Sequence, residues 1–436
     1  MVQTPQLLRL LLLISATGWF QFYFYQPIQS FSLNTVVVSS IPTRHRHQKN
    51  RNRNISKGSN KKFTTTTTTA TMLTMISEQT CNELNNQSIL LTGASGGLGK
   101  AIAVQISKYC TPKNLILSGR NIDTLNDIAN ECRQYQKQKQ KDHQDNDNEG
   151  VHVIPADLSN KESVQKLGES AIQLCSSSSS SSSGGIGSSS SSCCVDILIN
   201  CGGISSRSDF IDTKLDIDER VMQINFFSGA SLAKIIVPGM ISKNKNSNSS
   251  NSNSRHQGNN KSNNSSTSSS SKIIWISSVQ GLMGIPSRTS YAASKFAVQG
   301  YCEALRGELA SSNISVHCVS PGYIKTNLSL SAIKGDGTNH GTMDDATSNG
   351  SDPTDVAIEI LNTVCGVAGI DIIGGNKNDF VVAATLSAKV AIWLRLLCPG
   401  LLQNLLVQRY EKAKKKNALL QEEEDVVVAV SDKKID

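Results

Sequence analysis

Tyr291 and Lys295, in the stretch "SRTSYAASKFAVQGYCEAL", stand four residues apart. That spacing puts two side chains on one face of a helix. A phenol beside an ammonium group can pass a proton to an oxygen that is gaining negative charge, and the ammonium favours the phenolate left behind. Spacing alone does not select this pair. Of the eight tyrosines, four have lysine at i+4, the others being Tyr109/Lys113, Tyr135/Lys139 and Tyr410/Lys414. For a lone pair, a solvated helix face explains as much. What sets Tyr291 apart must lie at fixed distances elsewhere in the chain.

A second group able to do chemistry is glycine. The apolar run Ser88–Leu91 leads into "LTGASGGLGKAIA", with Gly93, Gly97 and Gly99 at a turn before a helical pattern. Glycines there permit a tight turn and let backbone N–H groups at a helix N-terminus approach a pyrophosphate. The next apolar run ends "LILSGRN", with no Asp or Glu to grip the ribose hydroxyls of NAD. Arg120 follows, and its guanidinium suits a 2′-phosphate, so the expected cofactor is NADP(H). A surface arginine is the plainer alternative.

Elements that position these groups follow from the apolar pattern. Val/Ile-rich runs recur at Ser88–Leu91, Asn114–Leu117, Val151–Ile154, Val195–Ile199, Ile273–Ile276, Ser315–Val319 and Phe380–Ala383, with helical patterns between them. Strands apolar on both faces that alternate with helices indicate a parallel sheet covered on both sides. The expected fold is α/β: a Rossmann-type, doubly wound, seven-stranded parallel sheet in one domain over 83–385. Three low-complexity insertions, Gln136–Glu149, Ser176–Ser192 and Lys243–Ser271, fall between a helix and the next strand and read as loops. The strand-to-helix loops, which carry ligands, stay short.

Charge and the two ends bound the partners. The formal net charge is +8, but residues 1–77 hold nine Lys/Arg and no Asp or Glu, so the rest is close to neutral. No nucleic-acid-binding face is indicated. Eleven cysteines occur without a C-x-x-C pair or a nearby His cluster, which points to free thiols in a reducing compartment and to no metal site. Leu7–Tyr25 is apolar over 19 residues with one arginine, and Arg44–Lys62 carries eight Lys/Arg. Residues 1–77 therefore read either as a membrane anchor that leaves the bulk in the cytosol, or as a presequence for a plastid or other organelle. The final "SDKKID" is similar to a dilysine retrieval signal of endoplasmic-reticulum membrane proteins. Within the tail 386–436, Ala391–Lys416 is apolar and then basic, and reads as a membrane-surface helix or as a final helix packed on its own domain.

The motifs together resemble the short-chain dehydrogenase/reductase family over about Ser88–Ala384. They are "TGASGGLG" (Thr92–Gly99, with Ser95 and Leu98), "ADL" with Asp157, "INCGG" with Asn200 and Gly203, "VMQINFFSG" with Asn225, "IWISSVQG" with Ser278, "YAASK" and "PGYIKT" with Pro321 and Thr326. Ser278 precedes Tyr291 by 13 residues, as in the family, and the other three Tyr/Lys pairs lack this frame. Cys201 and Gly202 depart from the family's usual Asn-Ala, which implies a local adjustment of that loop. The resemblance implies that Asp157 touches the adenine and that Thr92, Gly93, Ser95, Gly97, Leu98, Gly99, Asn200, Gly203, Pro321 and Thr326 help hold the dinucleotide. It implies that Tyr291 donates the proton, that Lys295 stabilises the phenolate and holds the nicotinamide ribose, that Ser278 bonds the substrate oxygen, and that Asn225 fixes a helix and a water relaying protons. Stretches in 270–410 are similar to the family's member 7 group, which has an N-terminal membrane segment.

The resulting expectation is a membrane-associated, NADP(H)-dependent reductase acting on a ketone of a lipid-like substrate. The group implies acyl- or alkyl-dihydroxyacetone phosphate, or a steroid- or retinoid-like carbonyl. An alcohol dehydrogenase running in the oxidative direction and a non-catalytic nucleotide-binding scaffold are the rivals. The expected location is the endoplasmic-reticulum membrane. Small and apolar faces near Ala230–Ile241 and Ala292–Leu309 are of the kind the family uses for homodimers. Arg288 reads as a surface residue or a contact for a substrate anion, and Ile333–Gly350 as a lid over substrate.

Overall fold

In the computed structural model the described residues are 75–140, 150–177, 195–252, 271–366 and 378–432, all within the compact unit Thr64–Asp436. Leu7–Tyr25, Arg44–Lys62, most of the three insertions and the last four residues lie outside them.

Each expected apolar run forms a strand, buried on both faces in the middle of the sheet and only partly buried at its edges, β3 and β7. The strands are β1 (Ser88–Thr92), β2 (Asn114–Ser118), β3 (Val151–Val153), β4 (Ile197–Asn200), β5 (Ser271–Ile276), β6 (Ile314–Pro321) and β7 (Asp379–Val382). Every residue of β1, β2 and β5 is buried. All pairings are parallel, in the order β3-β2-β1-β4-β5-β6-β7. The direction of sheet growth reverses between β1 and β4, where Thr92 pairs with Asn200. Ligands of open α/β sheets bind outside the strand ends at such a point.

Helices before, between and after the strands are α1 (Glu78–Leu84), α2 (Gly97–Tyr109), α3 (Ile122–Gln140), α4 (Lys161–Ser177), α5 (Leu215–Met222), α6 (Ser228–Ser252), α7 (Thr289–Leu309), α8 (Asp345–Ser348), α9 (Pro353–Val364), α10 (Leu386–Leu397) and α11 (Pro399–Asp432). Alternation along each strand splits the core into two layers. Ile89 and Leu91 meet Ile102, Ile128 and Leu361 of α2, α3 and α9 on one face. Leu90 and Trp275 meet Leu167, Ile236 and Val298 of α4, α6 and α7 on the other. Each such fully buried Leu or Ile contributes about 1.5–3 kcal/mol. Ala230, Leu232, Ala233, Ile236 and Met240 are committed to this second layer inside the domain.

Three boundaries differ from the sequence expectation. The folded unit starts before residue 83: Ser77 caps α1, Ile76 and Leu84 are buried, and Thr80 donates to Asn362 Oδ1 at 2.8 Å. The helices also run into the insertions. Lys139 donates to the carbonyls of Ser107 and Cys110, both at 2.8 Å, and buried Asn244 donates to the carbonyls of Ser312 and Asn313, both at 2.9 Å. Lys243 pairs with Asp196. Polar composition therefore marks the insertions a few residues too early, because long side chains still reach backbone carbonyls of the domain.

Among the described residues, one helical stretch, Leu215–Asn246, is long and apolar enough to cross a membrane, and half of its apolar window is buried in this domain. The C-terminal helices do two things at once. Ala388 and Ile392 bury against Val279 and Met283, while Leu386, Leu396, Leu397, Leu401 and Leu405 face outward.

Candidate active site

Parallel strands deliver their C-terminal ends to one edge of the sheet, and a cavity of about 610 Å³ opens there. The β1–α2 turn forms its floor. Gly93 has φ +66°, a conformation other residues rarely adopt, and a Cβ there would sit 2.6 Å from Gly202 Cα. A Cβ at Gly99 would sit 2.1 Å from the Gly93 carbonyl oxygen. Backbone is thus brought against backbone with no side chain between. No side chain caps the N-terminus of α2, so its first N–H groups are available to a ligand. Ser95, Gly97 and Leu98 line the same floor, and Thr326 leans over Gly97, where a Cβ would fall 2.6 Å from Thr326 Cγ2. This bare, donor-rich cradle fits the pyrophosphate of a dinucleotide.

At one end of the cavity stand Arg120, exposed at the end of β2, and Asp157 after β3. Burial works against the charged Asp157 carboxylate, but hydrogen bonds from Ser159 and the charges of Arg120 and Arg220 hold it below the ordinary carboxylate range. Gly203 and Pro321 line the middle. The departures at Cys201 and Gly202 have a local reason. A Cβ at Gly202 would lie 2.3 Å from Leu158 Cδ1, so the alanine usual in the family would require the end of this leucine to turn aside. Backbone N–H groups of Cys201 and Gly202 donate to Thr92 Oγ1 at 3.2 and 3.3 Å, which fixes the loop. Burial pushes the Cys201 thiol up to about 12, so it remains neutral.

At the opposite end Ser278, Tyr291 and Lys295 line the cavity together. Tyr291 and Lys295 share α7, as their spacing requires, and both are about 95% buried. Lys295 Nζ donates to the Ile276 carbonyl at 2.8 Å and lies 5.7 Å from the Tyr291 ring centroid. Ser278 ends the segment after β5, where its Oγ accepts from Gln280 N at 3.2 Å. Asn225 sits in a single π-helical turn, Gln223–Phe227, between α5 and α6. Its Oδ1 accepts from Ile204 N at 2.8 Å, and its Nδ2 donates to Ile204 O and Ser294 Oγ, both at 2.9 Å. Such π turns collect at functional sites because they re-aim one side chain.

Thr92, Asn200 and Asn225 are buried behind the cavity wall and do not line it. The Asn200 amide is buried against Gly229, with no hydrogen-bond partner on either atom among the described residues. Residues that the sequence reading missed also face the cavity: Arg207, Ser205 and Leu158. Arg207 follows "INCGGISS" without any pattern to mark it, and only the fold brings it near Tyr291.

Comparison with known proteins agrees with this geometry. A short chain dehydrogenase family model matches residues 259–336, and a KR domain model matches 87–179. A dehydrogenase/reductase SDR family protein 7-like of Anopheles gambiae is 32% identical over 342 residues, 78% of this chain and 89% of that protein. The dehydrogenase/reductase SDR family member 7B of Xenopus tropicalis is 32% identical over 332 residues, 76% of this chain and 88% of that protein. A short chain dehydrogenase/reductase from Burkholderia phymatum, solved in complex with NAD, superposes with a TM-score of 0.51 at 17% identity, covering 73% of this chain and 96% of that one. With its parallel sheet, its glycine cradle at the switch point and Ser278, Tyr291 and Lys295 on one cavity, the chain belongs to the short-chain dehydrogenase/reductase family.

Proposed function

We propose that the protein is an NADP(H)-dependent reductase of a ketone on a lipid-like substrate, with Tyr291 as the general acid. The observation that carries this reading is the meeting of Ser278, Tyr291 and Lys295 at one end of a cavity whose other end is a glycine cradle with Arg120 beside it. Thr92, Gly93, Ser95, Gly97, Leu98, Gly99, Asp157, Asn200, Gly203, Pro321 and Thr326 would hold or frame the dinucleotide, and Arg120 would meet its 2′-phosphate. When bound, NADPH supplies a hydride to the carbonyl carbon.

The rest is work for this chain's own groups. Charge develops on the carbonyl oxygen, and the Ser278 hydroxyl hydrogen-bonds that oxygen as it does. The Tyr291 hydroxyl gives it a proton. The resulting phenolate faces the Lys295 ammonium, which the Ile276 carbonyl holds in place. Asn225 braces the loop carrying Ile204 and the Ser294 turn of α7, so the helix that presents Tyr291 keeps its height above the strand ends. The resemblance of stretches in 270–410 to the family's member 7 group supports the lipid-like substrate class, with acyl- or alkyl-dihydroxyacetone phosphate and steroid- or retinoid-like carbonyls as candidates.

Membrane attachment belongs to the same reading. The apolar Leu7–Tyr25 followed by basic Arg44–Lys62 supports an anchor in the endoplasmic-reticulum membrane with the catalytic domain in the cytosol. The reading is tested by NADPH oxidation with purified protein across long-chain ketones, acyl-dihydroxyacetone phosphate and steroids. Turnover of a member of that panel with NADPH supports it. Tight dinucleotide binding without turnover of any member contradicts it.

A further inference from the structure

A cluster beside the catalytic residues is not used by the chemistry above. Arg288 immediately precedes α7, three residues before Tyr291, and Arg207 lies on the loop after β4. Both side chains are largely buried, with 14% and 10% exposed, and both line the cavity. They share one carboxylate oxygen. Arg207 Nη2 and Nε donate to Asp344 Oδ2 at 2.7 and 3.1 Å, and Arg288 Nη2 donates to the same oxygen at 3.0 Å. Asp344 itself is held from behind by Ser329 Oγ, which accepts from its backbone N at 3.1 Å.

The two guanidiniums are not in the same condition. Arg207 also donates through Nη1 to Ser205 Oγ and to the Ser206 carbonyl, so four of its five N–H groups are engaged. Among the described residues, the Arg288 side chain has only the Asp344 hydrogen bond, and the residue lines the cavity. Two positive charges on one carboxylate leave a net positive charge. The one acidic side chain among the described residues lining the cavity is Asp157, at the dinucleotide's adenine end. The cluster is tied to the reacting end, because Ser206 Oγ accepts from Tyr291 N at 3.3 Å. Burial and the neighbouring Arg207 charge both press the Arg288 guanidinium toward losing its charge, which an incoming anion would relieve.

We propose that Arg288, backed by Arg207 and Asp344, is a subsite for an anionic oxygen group on the substrate, a phosphate monoester or a carboxylate placed near its ketone. A guanidinium with free, forked donors in a buried wall matches such a group in charge and shape. This deepens the reductase reading and rests on it for the identity of the ketone, though not for binding of the anion. It also separates the substrate candidates: a neutral steroid- or retinoid-like ketone leaves the Arg288 donors unpaired, and an acylated dihydroxyacetone phosphate pairs them.

The test uses two readouts on the full-length protein in detergent. The first is kcat/KM with NADPH for two matched pairs: palmitoyl-dihydroxyacetone phosphate against palmitoyl-dihydroxyacetone, and 4-oxo-octadecanoate against its methyl ester. The second is calorimetric binding of hexyl phosphate, hexanoate and hexanol to protein saturated with NADP⁺. The wild type should favour the anionic member of at least one pair by about tenfold or more, the better pair telling phosphate from carboxylate. Arg288→Met should remove most of that preference and weaken the matching hexyl anion about tenfold, with Arg288→Lys in between. Retained thermal unfolding and NADP⁺ affinity show that the variants are folded. Equal effects of Arg288→Met on both members of each pair, or a wild type that binds hexyl phosphate and hexanoate no better than hexanol, overturn the subsite. Loss of hexyl-anion binding in Arg288→Met, in a protein that turns over no ketone, upholds the subsite and removes the reductase reading instead. Ketone turnover with no anionic preference does the reverse.

Discussion

Lys295 Nζ reaches the Ile276 carbonyl at 2.8 Å from a helix position that also places it 5.7 Å from the Tyr291 ring centroid. The end of β5 and α7 are thereby joined through one ammonium group. Replacing Lys295 by Met keeps the volume but orphans a buried carbonyl, at a cost of about 1–3 kcal/mol. It also removes the charge facing the phenolate. Lys295→Met should therefore lower kcat by about a hundredfold or more and reduce the urea midpoint only modestly. Unchanged kcat in a folded variant would contradict the role given to the ammonium.

Arg120 tests cofactor choice. It stands at the end of β2 with no carboxylate at the position where NAD-binding sheets grip the ribose. Arg120→Ala should raise the KM for NADPH by roughly ten- to a hundredfold, the range of one charge-assisted hydrogen bond. The KM for NADH should move far less. Steady-state kinetics with both nucleotides decides it, and an equal change in the two would remove the 2′-phosphate contact.

Asp344 makes a pH prediction. Burial opposes its ionisation, but Arg207 and Arg288 outweigh that and hold its carboxyl below the ordinary carboxylate range. A group with a depressed folded value stabilises the fold above its unfolded value, and the contribution is lost as pH falls through the folded one. Asp344→Asn should therefore melt at lower temperature than wild type at pH 7, and the two melting curves should converge on acidification below about pH 4. A difference that persists unchanged to pH 3 would show that shape, not charge, is what Asp344 supplies.

Much of this architecture is readable without coordinates because burial leaves a mark on residue type. Ile89, Leu90 and Leu91 are apolar in succession since each faces a helix layer, and the same holds for the other core strands. The Tyr291 frame is readable because helical spacing and the strand-end Ser278 are local features. What stays silent is contact between distant segments. Arg207 and Arg288 meet Asp344 across 137 and 56 residues, and no periodicity encodes such a meeting. Thr92 and Asn200 show a second limit, since a motif residue can serve the cradle from behind without touching what lies in it. Polar helix ends are a third: Asn244 looks like part of a solvated tract until its carbonyl partners are located.

The most direct test of the central claim is single-turnover oxidation of NADPH, followed by absorbance, with wild type and Tyr291→Phe and the best ketone of the panel. The account predicts that the phenylalanine variant binds NADPH as wild type does and loses hydride transfer by a factor of about 10³ or more, since both the proton donor and its phenolate are gone. Hydride transfer within tenfold of wild type in that variant would contradict it.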